Sequence, residues 1–266
     1  MIASKANSSL LLLIPGLKVL VTAGASGIGR AIADTLVRHG ARVAVCDIDE
    51  HALADFHDNY PDHLAVLADV SKEVDVDRLF EQLTEKLGGL DALVNNAGIA
   101  GPTGGIETLD LGDWQKCLDV GLTSQFLCAR RAVPMLKSIG GGSIVNMSSA
   151  AGRFGYAFRT PYSAAKWGVI GLTQSLAKEL GPSNIRVNAI LPGIVEGPRM
   201  DKVIAARAEQ MGVTQAEMQH TYLEKVSLRR MVSPHDVAAM VAFLLSSMGE
   251  NISGQSLGVD GYVETL

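Results

Sequence analysis

The sequence is poor in the residues that build cross-links and metal centres. It has three cysteines, Cys46, Cys117 and Cys128, an odd number with no CxxC spacing. That excludes a disulfide framework or a thiolate metal knuckle and predicts reduced thiols in or near the core, in a reducing compartment. The six histidines scatter, with no HxxxH pair. The Asp- and His-rich stretch 47–63 therefore reads as a solvated helix and loop rather than a metal site. No apolar run reaches the roughly 18–20 residues of a membrane span. The run Leu10–Ile14 meets Pro15-Gly16 before it is long enough for a secretory core. Basic residues form no block and the net charge is −5, which argues against a nucleic-acid surface. There is no Pro/Ser-rich linker, low-complexity tract or internal repeat. The 266 residues are thus expected to form a short N-terminal extension, 1–16, and one domain, 17–266, soluble and cytoplasmic.

What is present is an alternation of two patterns. Apolar, β-branched runs occur at 18–23, 42–47, 64–69, 91–97, 143–149, 185–192 and 256–261. Most are apolar on both faces, as in a parallel sheet covered on both sides. Helical patterns lie between them. Ile28, Ile32 and Leu36 share a face that stops at Gly40; another helix starts on Ser71 and ends before Gly88-Gly89. Ser233, Pro234 and Asp236 form a helix start. This order predicts an α/β fold, a Rossmann-type doubly wound sheet of seven parallel strands with helices on both faces. Segment 196–232 has no strand pattern and is expected to lie as a helical lid over the carboxyl edge of the sheet.

"VTAGASGIG" joins the first strand to the first helix. Gly24, Gly27 and Gly29, with Ser26 and Ile28 between them, would let the backbone approach a pyrophosphate seated on the helix N-terminus. The spacing is GxxGxG rather than GxGxxG. Asp47 ends the second strand eighteen positions past Gly29, where a carboxylate accepts from adenosine ribose hydroxyls. It would repel a 2′-phosphate, and neither Ser26 nor Ile48 brings a cation. NAD is therefore the expected cofactor.

The ordered set "TAGASGIG", "DV" (69–70), "NNAG" (95–98), "SS" (148–149), "YSAAK" (162–166), "PG" (192–193) and "SGQSLGVDG" (253–261) resembles the short-chain dehydrogenase/reductase family over nearly the whole chain. The resemblance implies a homotetramer and a cofactor bordered by Asp69 and Val70 at the adenine. Asn95, Ala97 and Gly98 would lie at the fourth strand's end, and Pro192, Gly193 and Val195 at the nicotinamide. It implies Ser149, Tyr162 and Lys166 as a catalytic trio, with Tyr162 and Lys166 also contacting the cofactor. Tyr162 and Lys166 stand at i, i+4 on one helix face. An ammonium there favours the phenolate of a tyrosine whose ordinary pKa is about 10. Tyr162 would then exchange the hydroxyl proton while hydride moves between carbon and nicotinamide, and Ser149 would orient the substrate oxygen.

The chain departs from the family pattern at three places. Ala23 stands where a glycine is usual, and is expected to fit only at negative φ. Gly121 stands where an asparagine usually holds a proton-relay water; a water on a backbone carbonyl, or Thr123 or Ser124, would have to serve, or the relay is impaired. Gly197 replaces a threonine. Ser149, Arg153, Phe154, Tyr156 and Arg199 are the candidate substrate contacts, and Arg159 joins the two other arginines as a candidate for an anionic group. Met200, Met211, Met218 and Met231 either line the pocket or pack the lid. No metal is expected. The function expected is NAD-dependent interconversion of a secondary alcohol and a ketone. The alternatives are a 3-oxoacyl thioester (acyl-carrier-protein) reductase and, of another class, a non-catalytic dinucleotide-binding sensor.

Overall fold

The computed structural model describes residues 15–265. The expected extension 1–16, with its Leu10–Ile14 run, lies outside the described residues except for the turn at Pro15-Gly16. Strands β1 (Lys18–Thr22), β2 (Arg42–Asp47), β3 (Leu64–Leu67), β4 (Ala92–Asn95), β5 (Gly142–Met147), β6 (Ile185–Pro192) and β7 (Ser256–Val259) form one sheet in the order β3-β2-β1-β4-β5-β6-β7. Every pairing is parallel. Each strand coincides with an apolar run in the sequence, trimmed by up to two residues at its ends, except that β5 begins one residue early, at Gly142.

The two faces are filled by alternate residues of the same strands. Val19 and Val21 enter one apolar layer, with Ile32 and Leu36 of α1 (Gly27–Arg38), Phe56 of α2 (Glu50–Asn59) and Val237 and Val241 of α9 (Pro234–Leu245). Leu20 enters the opposite layer, with Leu79 and Leu83 of α3 (Glu73–Leu87), Leu136 of α5 (Ser124–Ser138) and Leu180 of α6 (Thr160–Leu180). This two-sided burial is what strands without polar alternation require. Each fully buried leucine or valine side chain contributes about 1.5–3 kcal/mol.

The helix ends follow local chemistry. Ser233 and Asp236 exchange side-chain-to-backbone bonds in a capping box, with Pro234 in the first turn. Helix α3 begins two residues later than the sequence pattern implies. Ser71 does not cap it, because its hydroxyl and amide both donate to Asp69 Oδ1, at 2.6 and 3.0 Å. Helix α4 (Leu111–Leu118) runs into α5 through one π turn, Asp119–Thr123, a feature no sequence period announces.

Segment 196–232 holds two helices and no strand. Helices α7 (Pro198–Met211) and α8 (Gln215–Glu224) sit on a third apolar cluster containing Ile204, Ala208, Met218 and Tyr222, with Phe154 and Tyr156 packed against it. Met200 and Met231 pack there too, whereas Met211 is exposed. Single bridges tie the cover down, Val195 to Val232 and Val226 to Val263. Strand order reverses between β1 and β4, which marks the carboxyl ends of those strands as the binding crevice.

Candidate active site

The turn after β1 leaves the N-terminus of α1 open. Ser26 occupies the N-cap of α1 in extended conformation, yet its side chain makes no capping bond, and the first turn holds no acidic residue. The first amides of α1 thus keep their positive end uncompensated. A Cβ on Gly24 would lie 2.7 Å from Val21 O, and one on Gly29 2.0 Å from Ala23 O. Gly27, at φ 53°, is open, with nothing near its Cβ position. Ile28 packs against the apolar layer below. These features fit a pyrophosphate on the helix N-terminus.

Ala23 contradicts the expectation of negative φ: it sits at 49°, in the left-handed region. The reason lies in Asn96, whose Nδ2 donates to Thr22 O at 3.0 Å and Ala23 O at 3.1 Å. The Asn96 and Ala97 amides both donate to Thr22 Oγ1. The β4 loop therefore clamps the turn and holds the alanine in a conformation that costs roughly 1–2 kcal/mol. The sequence reading passed over Asn96. Asn95, which it named, turns inward, donating to Asn146 Oδ1 at 2.9 Å in a buried chain that continues to Thr173.

Asp47 is buried at the end of β2. Its Oδ1 accepts from the amides of Ile48 and Asp49, and its Oδ2 accepts from Ala25 at 3.3 Å. A carboxylate has about four acceptor sites, so capacity remains after this scaffolding. Ile48 is exposed beside it. Asp69, where β3 ends, is tied to Ser71, and Val70 is buried. Gly193 donates to Val259 O at 3.0 Å, and a Cβ there would meet Asp260 at 2.8 Å. Pro192 ends β6 just before it, and Val195 follows at the base of the cover.

The trio comes together from the end of β5 and the start of α6. Ser149 follows β5, and Tyr162 and Lys166 lie in the first turns of α6. Lys166 is 3% exposed; its Nζ donates to Met147 O at 2.8 Å and stands 5.7 Å from the Tyr162 ring centre. Burial alone would push the phenol up. Lys166 foremost, then Arg199, Ser149 and Arg159, overcome it and hold Tyr162 below its ordinary value. Burial also lowers Lys166, with Tyr162 opposing. The carbonyl-anchored ammonium thus stands beside a phenol that gives up its proton more readily than a free tyrosine.

Gly121 lies in the π turn, buried, and a Cβ there would stand 3.1 Å from Ala165 Cβ. Ser124 does not replace the missing asparagine: its hydroxyl is spent on Val120 O at 2.8 Å. Gln125, which the sequence reading did not single out, reaches the same region. Its Nε2 donates to Met147 O at 3.2 Å, the carbonyl that also holds Lys166, and its Oε1 is buried without a partner among the described residues.

The substrate candidates divide. Arg153 pairs with Asp260 at 3.3 Å and stacks on Phe154, so its charge is already answered. The Tyr156 hydroxyl bonds to that of Tyr222, 2.8 Å away in α8, joining the loop before α6 to the cover. Arg159 is buried and stacks on Tyr162 and Tyr156. Arg199 donates to Gly98 O at 3.0 Å. Gly197 has φ 131° and precedes Pro198 at the head of α7. No cluster of metal-ligating side chains occurs among the described residues, and no helix there is long and apolar enough to cross a membrane.

A sheet-edge crevice with a phosphate turn and a Ser–Tyr–Lys set defines a nucleotide-dependent oxidoreductase of the Rossmann type. The chain belongs to the short-chain dehydrogenase/reductase family: the family model described as "Enoyl-(Acyl carrier protein) reductase" matches residues 22–262. Among curated relatives, cis-4-hydroxycyclohexanecarboxylate dehydrogenase of Sinomonas cyclohexanicum is 37% identical over 245 residues, covering 91% of this chain and 94% of that one. NAD+-bound xylitol dehydrogenase superposes with a TM-score of 0.90 at 26% identity, covering 93% of this chain and 99% of the other. An actinorhodin polyketide ketoreductase variant with NADPH gives 0.90 at 32% identity, covering 94% and 98%. The protein is a member of an oxidoreductase family whose members bind NAD or NADP and act on alcohols and ketones.

Proposed function

We propose that the protein is an NAD-dependent dehydrogenase interconverting a secondary alcohol and its ketone, in which Tyr162 is the general acid/base. The observation that carries this reading is the placement of Lys166, held at 2.8 Å by Met147 O and beside a phenol shifted toward ionisation. Bound nicotinamide would supply the hydride acceptor or donor. Tyr162 takes the proton of the alcohol in oxidation and returns it to the ketone oxygen in reduction. Ser149 donates to that oxygen and fixes it against the phenol. Gly24, Ser26, Gly27, Ile28 and Gly29 cradle the pyrophosphate. Asp47 and Ile48 meet the adenosine ribose, Asp69 and Val70 the adenine. Ala97, Gly98, Pro192, Gly193 and Val195 border the nicotinamide, Lys166 holds its ribose, and Asn95 supports the strand from within.

Asp47 supports NAD over NADP, because a carboxylate at the end of β2 would repel a 2′-phosphate on the adenosine ribose. A polyol, sugar, hydroxy acid or cyclic alcohol is the expected substrate group, and the hydroxycyclohexanecarboxylate and xylitol of the relatives' names fall within it. The rival carrier-protein reductase needs a free basic surface. The exposed arginines of α5, Arg130 and Arg131, are instead paired with Glu73 and Asp77 of α3. Assembly as a homotetramer is supported by Phe126 on α5 and by Trp167 on α6, which is 51% exposed. Three buried free thiols support a reducing, cytoplasmic setting.

The test is Tyr162→Phe, assayed with NAD and a panel of secondary alcohols, alongside NADH fluorescence titration. Loss of turnover by at least about 10²-fold with NADH affinity retained supports the reading. Turnover that survives the substitution overturns it, and a chain that binds NADH but turns over nothing on a broad panel revives the non-catalytic sensor.

A further inference from the structure

Two cations stand beside Tyr162 with no anion to answer them. Arg159 caps α6 one turn before Tyr162 and is only 4% exposed. Its guanidinium lies 4.8 Å from the Tyr162 ring centre and 5.2 Å from that of Tyr156. One Nη donates to Ala100 O, and its Nε is buried with no partner among the described residues. Arg199, exposed in the first turn of α7, donates to Gly98 O at 3.0 Å. Gly98 and Ala100 belong to the one loop that leaves β4, so both arginines grip the same rim of the crevice. Both are close enough to Tyr162 to favour its phenolate.

Of the eleven other arginines, five pair with acids: Arg30, Arg78, Arg130, Arg131 and Arg153. Arg42 and Arg186 bond to backbone carbonyls at the opposite end of the strands. Among the described residues, neither Arg159 nor Arg199 makes an ion pair. A buried charge without a counter-charge is strongly unfavourable. Lys166, Arg159 and Arg199 together place three cations around one phenol. A neutral alcohol would relieve none of that; one more anion would.

We propose that the substrate is a secondary alcohol or ketone that also carries a carboxylate, docked by Arg159 and Arg199. The proposal rests on the dehydrogenase reading above. A planar carboxylate suits the guanidinium fork, which offers parallel donors from Nε and Nη. Arg159 has a buried Nε without a partner among the described residues, and Arg199 reaches the same loop from α7. The competing anion is a cofactor phosphate. The NADH affinity of the arginine variants separates the two.

The test is isothermal titration of the NADH complex with matched probes: propionate against propionamide, benzoate against benzamide, cyclohexanecarboxylate against cyclohexanecarboxamide. The carboxylate should bind at least about tenfold tighter in one pair or more. Arg199→Gln and Arg159→Gln should each abolish that preference while leaving NADH affinity within about twofold, and Arg159→Lys should restore only part of it. Arg199 is exposed, so its variant keeps the test decisive should Arg159→Gln fail to fold. Equal binding of acid and amide in every pair, or a preference that survives both glutamine variants, overturns the proposal. So does a large loss of NADH affinity in Arg199→Gln, which would assign the arginine to the cofactor. Failure of the unmodified protein to bind NADH at all overturns the dehydrogenase reading first, and the carboxylate proposal with it.

Discussion

Lys166 Nζ and Met147 O are 2.8 Å apart, and that bond fixes the ammonium beside the Tyr162 ring. The pair links the end of β5 to the first turns of α6. It converts an expensive buried lysine into a positioned charge. Removing that charge leaves Tyr162 with burial, which raises its pKa, and fewer cations to oppose it. In Lys166→Met, the rise of kcat/KM for alcohol oxidation with pH should move to higher pH, because the base must be ionised to act. At neutral pH kcat/KM should fall at least about 10²-fold. A pH–rate profile of the two enzymes checks both points; an unshifted profile would contradict the role given to Lys166.

Ala23 at φ 49° is held there by the Asn96 clamp. Glycine adopts that conformation freely. Ala23→Gly should therefore stabilise the fold by about 0.5–1 kcal/mol, the left-handed cost less the extra entropy of glycine in the unfolded chain. For a chain of this size that is a Tm increase of about 1–4 °C by thermal melt. Ala23→Val should lower Tm, since a β-branched side chain tolerates positive φ least.

Asp47 scaffolds the turn through the Ala25 and Ile48 amides, and the proposed function gives its carboxylate to the ribose. Asp47→Ser keeps a short acceptor and removes the charge. The ratio of NADPH to NADH affinity should rise at least about tenfold, because a like-charge contact is removed. Fluorescence titration with both nucleotides measures it. A ratio that does not change would leave Asp47 as a turn residue alone.

His63 gives the fold a pH dependence unrelated to catalysis. Its Nδ1 accepts from the Val43 amide at 3.0 Å, and burial lowers its pKa below the ordinary value. The unfolded chain then binds the proton more readily than the folded one. This contribution is present above about pH 6.5 and is lost as the pH falls through that value toward the folded pKa. Urea unfolding at pH 7.5 and 5.5 should show lower stability at the acid value. His63→Gln should flatten that difference; an equal difference in the variant would remove His63 from the account.

Much of this protein was legible in local pattern. A strand's period and a helix's period are set by neighbours in sequence, so all seven strands and the Ser233 capping box could be read directly. Tyr162 and Lys166 share a face because i, i+4 always do. The turn glycines are required by steric contacts with the adjoining backbone, and the helical cover 196–232 showed itself by lacking a strand pattern. What a residue meets across the fold was not legible. Ala23 takes positive φ because Asn96, from another strand, bonds its carbonyl. Of two adjacent asparagines, only packing decides that Asn95 joins the core and Asn96 the turn. Three arginines looked alike in sequence, yet Asp260 answers Arg153 from the far end of the chain and no described residue answers Arg159. Composition and spacing determined the class of fold and singled out Ser149, Tyr162 and Lys166 as candidates. The tertiary structure alone decided which charges are neutralised within the described residues, because electrostatic partners and buried volume depend on distance in space, not along the chain.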